Sequence, residues 1–268
     1  MSEEELKQIA RVLKINPVAV EKKLITFIKN KVRESGADGV VIGLSGGIDS
    51  SVTAVLCVRA LGPEKVLGIS LPEVGVSDPS DVADARLVAE KLGIDFRVID
   101  IAPVVKALRG QLEFKPEAKL PNANILPRVR MVVLYYYANM LNRLVVGCSN
   151  RSELRTGYFT KYGDGASDLA PLGALYKTQV RELACYLGIP KQIVDKTPTA
   201  GLWPGQTDEG ELGISYKNLD MIFAGLDLGL KPVAIAKTVG LRLDEVKSIV
   251  ERERRSLHKL RPPEIPKL

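Results

Sequence analysis

The most constraining feature of the chain is the passage from an apolar run, Val40 to Leu44, through Ser45-Gly46-Gly47-Ile48-Asp49-Ser50-Ser51 into a helical stretch that Gly62-Pro63 stops. This is strand, loop and helix in direct succession. The pattern recurs: Val66 to Leu71 reads as a strand, Ser80 to Leu92 as a helix closed by Gly93, and Phe96 to Ile99 as another strand. Leu144 to Cys148 is a fourth strand, after a helix from about Asn124 to Asn142. Short apolar strands alternating with helices predict an α/β fold, because right-handed crossovers place helices over both faces of a parallel sheet. The sheet should be doubly wound.

Helices flank this core. Ser2 can cap one, and Asn16-Pro17 starts another whose Val20, Leu24, Phe27, Ile28 and Val32 keep helical spacing to Gly36. Beyond Cys148 come a loop rich in Gly and Asp from Thr156 to Asp168, a helix from Lys177 to Leu187, and an irregular stretch from Thr197 to Gly213. Helices resume at Ser215 and run to His258. We read a single domain over residues 1–268: helices over 1–36, an α/β core with a lid over 37–213, and helices over 214–268. The lid is placed at Trp203 to Gly213, where glycines at 205, 210 and 213 break an otherwise polar segment.

The acidic start Glu3-Glu4-Glu5 lacks the pattern of a secretory signal, and the apolar runs are too interrupted to cross a bilayer. Cys57, Cys148 and Cys185 form no Cys-x-x-Cys pair and suit a reducing cytoplasm. The formal charge of +6 fits a polyanionic partner without separating nucleotide from nucleic acid. The motifs have to decide.

At Ser45 to Ser51 backbone N–H groups and the positive end of a helix dipole converge after a buried strand. Glycines let a polyanion approach closely, and three serines add hydroxyls. The loop is not of the Walker type: it lacks the lysine and carries Asp49. A carboxylate beside phosphates implies an intervening cation, and magnesium prefers such oxygen ligands.

The loop resembles that of the PP-loop ATP pyrophosphatases, with their adenine nucleotide alpha hydrolase-like fold, which split ATP between its α- and β-phosphates. Further motifs are similar to those of NAD synthetases in the same order along the chain. They are Asn124 to Met131, Gly147-Cys148-Ser149-Asn150-Arg151-Ser152-Glu153, Thr156 to Gly165 leading to Asp168 and Pro171, Lys177 to Arg181, and Pro204 to Glu209. Cys148 stands where that family usually has a Thr touching ATP, and its sulfur is a weaker hydrogen-bond partner than a hydroxyl.

The resemblance implies an ammonia-dependent ligase that amidates deamido-NAD through an NAD-adenylate, with AMP and pyrophosphate as products. It implies ATP contacts from Gly43, Leu44, Ser45, Gly46, Gly47, Ile48, Asp49, Ser50, Cys148, Lys177 and Thr199. It implies Mg²⁺ held by Asp49 and Glu153, catalytic roles for Asp49, Lys177 and Asp168, and deamido-NAD contacts from Arg128, Lys161, Asp168, His258 and Lys259. Lys177 opens a helix, where a cation opposes the dipole, so a nearby anion is expected. Without the resemblance, His258 and Lys259 at a helix end read as dipole complementation. The helix around Met131 to Ala138 is apolar or aromatic throughout, so one side should cover the sheet and the other a second copy of the chain. No nucleic acid or membrane partner is expected. The alternatives are a PP-loop enzyme that adenylates tRNA, which would need an RNA-binding module, and a nucleotide sensor without catalysis.

None of the three cysteines is placed as an activated thiol, so no glutaminase nucleophile is in view. The purified chain is therefore expected to form NAD from ammonium and not from glutamine. Product analysis with each nitrogen donor checks this, and robust turnover with glutamine would overturn it.

Overall fold

The computed structural model describes residues 3–203 and 205–266, so the expected cap at Ser2 lies outside it, as does Pro204. Helix α1 (Glu3–Leu13) is followed by α2 (Pro17–Ser35), which Asn16 caps by accepting the Ala19 N–H at 3.2 Å and Gly36 closes. Strand β1 (Gly39–Gly43) then feeds α3 (Ile48–Leu61). Strand β2 (Val66–Ser70), α4 (Pro79–Leu92) and β3 (Asp95–Val98) repeat the unit. Two short helices that the sequence reading did not separate, α5 (Ala102–Gln111) and α6 (Lys119–Ala123), precede α7 (Ile125–Met140) and β4 (Arg143–Val146).

The four strands are parallel, in the order β3-β2-β1-β4. The chain winds outward from β1 to β3 and then crosses to the other side of β1, so the topological switch lies between β1 and β4. Alternation along the strands divides the core. Val40 and Ile42 of β1 and Val146 of β4 pack with α2, α3, α4 and a later helix that holds Val180, Leu183 and Ala184, while Val41 and Val145 face α5 and α7. A parallel sheet buried on both faces is the architecture the apolar runs predict.

After β4 come α8 (Arg151–Thr156), α9 (Lys177–Leu187) and α10 (Lys191–Val194). The stretch expected to be irregular contains a short helix, α11 (Asp208–Leu212), whose Thr207 cap accepts the Gly210 N–H at 3.2 Å. Too short for helical periodicity, it could be seen only through that cap. Helices α12 (Tyr216–Asp227), α13 (Pro232–Val239) and α14 (Leu243–Ser256) complete the chain, and α1 packs on α12 and α13. Together they build a third cluster around Leu219, Phe223, Ile235 and Val246 that reaches the α/β core through Tyr176. Among the described residues, no helix is long and apolar enough to cross a membrane.

Gly46 takes a left-handed φ of 78°, and a Cβ there would stand 2.2 Å from the Asp81 carbonyl oxygen on α4. Replacing it with Ala combines backbone strain with a clash against main chain, so Gly46→Ala should lower stability by about 2–4 kcal/mol. Urea unfolding checks this; an unchanged midpoint would mean that the loop rebuilds freely.

Candidate functional site

Backbone amides at a helix start would fray or attract water unless something satisfies them. The α3 start, capped by Gly47, has no side-chain cap. The hydroxyls around it bond locally instead. Ser50 Oγ donates to Gly47 O at 3.1 Å and accepts the Ser45 N–H at 3.3 Å, while Ser51 Oγ donates to Gly47 O at 2.8 Å. They stiffen a turn whose first-turn N–H groups point out of the sheet edge, the arrangement that receives phosphate. Gly43 to Ser50 thus form one continuous strand end, loop and helix start.

Because β4 pairs with β1, the turn after β4 leaves the same edge. Asn150, fully buried, donates from Nδ2 to Asp49 Oδ1 at 3.0 Å. Its own Oδ1 accepts the Glu153 N–H and its N–H goes to Glu153 Oε2, both at 3.1 Å, so a reciprocal cap fixes Glu153 beside Asp49. Lys177 at the start of α9 joins them, with its Nζ 2.5 Å from Asp49 Oδ2 and 3.3 Å from Glu153 Oε1. These carboxylates are the anion expected beside a lysine at a helix start.

Burial favours the neutral form of every group here, and charge pairing decides which stay charged. Burial would lower the pKa of Lys177, but Asp49 and Glu153 outweigh it and hold the ammonium above the ordinary lysine value. Burial pushes the Glu153 carboxyl up; Lys177 opposes the shift, and Asp49 and Asp208 add to it. Asp208 on α11 is also raised, first by burial, with Lys177 again opposing. Its Oδ2 accepts the Tyr216 hydroxyl at 3.0 Å, while Oδ1 is buried with no hydrogen-bond partner among the described residues.

Three acids therefore face one ammonium, Asp49 and Glu153 in contact with it and Asp208 through its charge alone. That excess of buried oxygen ligands beside a phosphate-binding turn fits magnesium, which takes one or two carboxylates together with substrate phosphates. The described residues contain no ready-made cage of three or more His, Cys, Asp or Glu ligands.

Of the residues assigned by resemblance to deamido-NAD, Arg128, Lys161, His258 and Lys259 meet around the loop after α8, and Asp168 stands apart from them beside β4. Arg128 Nε donates to Lys161 O at 3.3 Å, and Lys161 Nζ to His258 O at 2.7 Å. Lys259 Nζ donates to Gly157 O at 2.7 Å and Phe159 O at 3.0 Å, clipping the C-terminal turn onto the loop after α8. Asp168 is exposed. Its carboxylate accepts the Val145 N–H at 2.7 Å and the Tyr135 hydroxyl at 3.3 Å, standing in for a strand at the β4 edge. Burial pushes the Cys148 thiol up to about 12, so it stays protonated. Thr199 is exposed, and its hydroxyl accepts the Gly201 N–H at 3.1 Å. The far part of the expected lid is docked: Gln206 and Asp208 are buried, and Tyr158 donates to Glu211 at 2.6 Å.

Sequence reasoning gave no role to Asn150, Ser152 and Asp208, though they lie in motifs that carried the resemblance, and did not single out Tyr216 and Asp220; all five reach this centre through tertiary contacts. Only Asn150 carried a local signal, since Asn150-Arg151-Ser152-Glu153 has capping-box spacing.

The NAD synthase family model matches residues 20–263. An NH₃-dependent NAD⁺ synthetase of Thermococcus kodakarensis is 52% identical over 90% of this chain and 93% of its own length. Among solved structures, an NMN synthetase from Francisella tularensis matches with a TM-score of 0.84 at 37% identity, covering 95% of this chain and all of its own. An NH₃-dependent NAD synthetase from Campylobacter jejuni, in complex with nitrate, matches at 0.81 and 31% with the same coverage.

Lys177→Ala would leave Asp49 and Glu153 buried without their cation, which should lower stability near neutral pH by about 3–5 kcal/mol. The loss should be smaller at about pH 6 than at about pH 9, because the Glu153 carboxyl is already pushed up to about 8 in the unaltered chain and goes higher without Lys177. Without Lys177, the Glu153 pKa in the folded state rises further above its unfolded value. The folded variant then binds more protons than the unfolded chain, and its stability falls as pH rises. Urea unfolding at the two pH values checks the sign; a loss independent of pH would refute this account of the pair.

Proposed function

The chain belongs to the NAD synthase family, and we propose that Asp49, Glu153 and Lys177 hold the pyrophosphate end of ATP at its active site. The enzyme is a ligase that amidates deamido-NAD with ammonia at the expense of ATP. The carrying observation is the convergence of these three side chains on the phosphate-binding turn at the β1–β4 switch.

A carboxylate is a poor electrophile, so ATP first adenylates the nicotinate carboxyl. One anion must then approach another, which requires neutralised charge and in-line placement. The α3 amides and Ser45 and Ser50 cradle the phosphates, and Lys177 offers a buried, firmly protonated ammonium to the departing pyrophosphate. Asp49 and Glu153 would hold Mg²⁺, which supplies further neutralisation of phosphate charge when bound. Cys148 contributes through its backbone. Ammonia then displaces AMP from the adenylate. Asp168, at the neighbouring edge with its carboxylate held by Val145 and Tyr135, takes a proton from the incoming ammonia. Arg128, Lys161, His258 and Lys259 form the wall for deamido-NAD, and Thr199 lies on the segment that closes over ATP. The segment from Trp203 to Gly213 acts as the lid that shields the adenylate from water, and its docked half is the closed position.

The working unit is a homodimer. Val132, Tyr136 and Met140 form a stripe on the outer side of α7, 53–63% exposed, beside exposed Val104 and Leu108 of α5. The C-terminal helices do not cover it, and tyrosine among aliphatics suits a subunit contact. The three cysteines, all free, suit the cytoplasm.

The test is incubation with Mg·ATP, ammonium and deamido-NAD, which should give NAD, AMP and pyrophosphate in equal amounts. Nicotinic acid mononucleotide is run beside it because of the Francisella relative; faster turnover of the mononucleotide would move the substrate assignment. Release of ADP and phosphate would sink the proposal for the site. Tyr136→Glu should shift the sedimenting species from dimer to monomer, and a wild-type chain that sediments as a fully active monomer would remove the dimer.

A further inference from the structure

Lys177 is held by more than its two acids. Its main-chain N–H, unsatisfied within α9 because it opens the helix, donates to Ser152 Oγ at 3.0 Å. Ser152 Oγ in turn donates to Asp220 Oδ1 at 2.5 Å. The other oxygen of Asp220 accepts both the Thr178 N–H, at 2.9 Å, and the Thr178 hydroxyl, at 2.7 Å. Ser152 and Asp220 are both fully buried. One carboxylate on α12 thus ties together the first turn of α9, which carries Lys177, and the first turn of α8, which carries Glu153.

A buried carboxylate is costly, and its hydrogen bonds must repay that cost. Here they go to the first two residues of α9, one of them through a serine. An anion placed there favours the helix end electrostatically, and it does so on the side away from the ligand. Asp220 also follows Leu219 on α12, a member of the apolar cluster that joins α12 to α13, α14 and α1. The C-terminal helices therefore have a polar connection to the catalytic lysine as well as an apolar one.

We propose that Asp220 is a positioning residue for ATP cleavage, acting through Ser152 to hold the Lys177 main chain so that its ammonium meets the pyrophosphate. This rests on the reading of Lys177 given above. Because the ammonium is then needed most where charge develops, loosening its anchor should lower turnover more than ATP binding.

The experiment compares Ser152→Ala, Asp220→Asn, the double variant and Lys177→Ala, with kcat, KM for Mg·ATP and thermal midpoint measured for each. All assays are run well below the midpoint, where every variant counted is folded. Ser152→Ala should lower kcat about tenfold and change KM less than about threefold. The double variant should turn over no more slowly than Asp220→Asn alone, because both changes cut one connection. Full kcat in folded Ser152→Ala, or a double variant that loses the product of the two single effects, would overturn the proposal. If Asp220→Asn does not fold, Ser152→Ala decides alone, since it leaves both Thr178 bonds to Asp220 in place. Full turnover in Lys177→Ala would instead remove the reading of Lys177 itself; collapse there with none in Ser152→Ala removes only the connection.

Discussion

The ammonium of Lys177, buried between Asp49 and Glu153, is the interaction on which the rest of the active edge depends. Burial and the nearby Asp49 push the Glu153 carboxyl towards protonation, and the ammonium of Lys177 opposes that shift. Burial in turn disfavours the charged lysine, and the two acids outweigh it. The three groups come from three separate elements, α3, α8 and α9, so the ion cluster also joins the two sides of the topological switch. An arrangement that is poor evidence for stability can still fix which elements lie together.

That cluster explains several features that would otherwise look unrelated. Asn150 spends its whole side chain on Asp49 and the Glu153 cap, setting the distance between the acids without adding charge. Tyr216 meets the cluster twice: its hydroxyl donates to Asp208, and its ring lies 5.2 Å from Lys177 Nζ. It therefore gives the buried ammonium a face without a competing proton acceptor. Asp208 brings a third acid from α11. The site thus sets three acids against one ammonium, a supply of oxygen ligands suited to a cation that accompanies a polyanionic substrate.

The sheet was legible in the sequence because the central strands β1 and β2 are buried on both faces and glycine, serine or asparagine marks the turns after β1, β2 and β4. The Asn16 cap, the stop at Gly62 and the start of α9 all follow from local chemistry that a sequence displays. Asp49, Glu153 and Lys177 were legible for a different reason. Charge in an unfavourable place, an acid beside phosphate-binding amides or a lysine opening a helix, asks for a partner. Asp208 and Asp220 gave no such signal. Each sits where an acid is ordinary, in the first turn of α11 and on α12, and only tertiary packing buries it. The same limit hid α5, α6 and α11, which are too short or too loosely patterned to show a period. In α7 the unbroken apolar run could not show which side meets the sheet; Val132 and Tyr136 lie on the side that is open in the single chain.

A four-stranded sheet with its covering helices can bury an apolar core, but its carboxyl edge stays open to water. There the attraction between Lys177 and its acids would be weakened by solvent. The third cluster changes this. Leu219, Ile222 and Phe223 on α12 pack beneath Tyr216 and Asp220, so the apolar side of that helix places its polar side against the active edge. Tyr176, immediately before Lys177, stacks with Phe223 at 6.4 Å between ring centroids and donates its hydroxyl to Asp227 at 2.6 Å. Apolar packing of the C-terminal helices is thus converted into a low-dielectric setting for a charge cluster on the sheet. Without those helices the phosphate-binding turn would still form, since its hydrogen bonds are local; the buried ammonium would not.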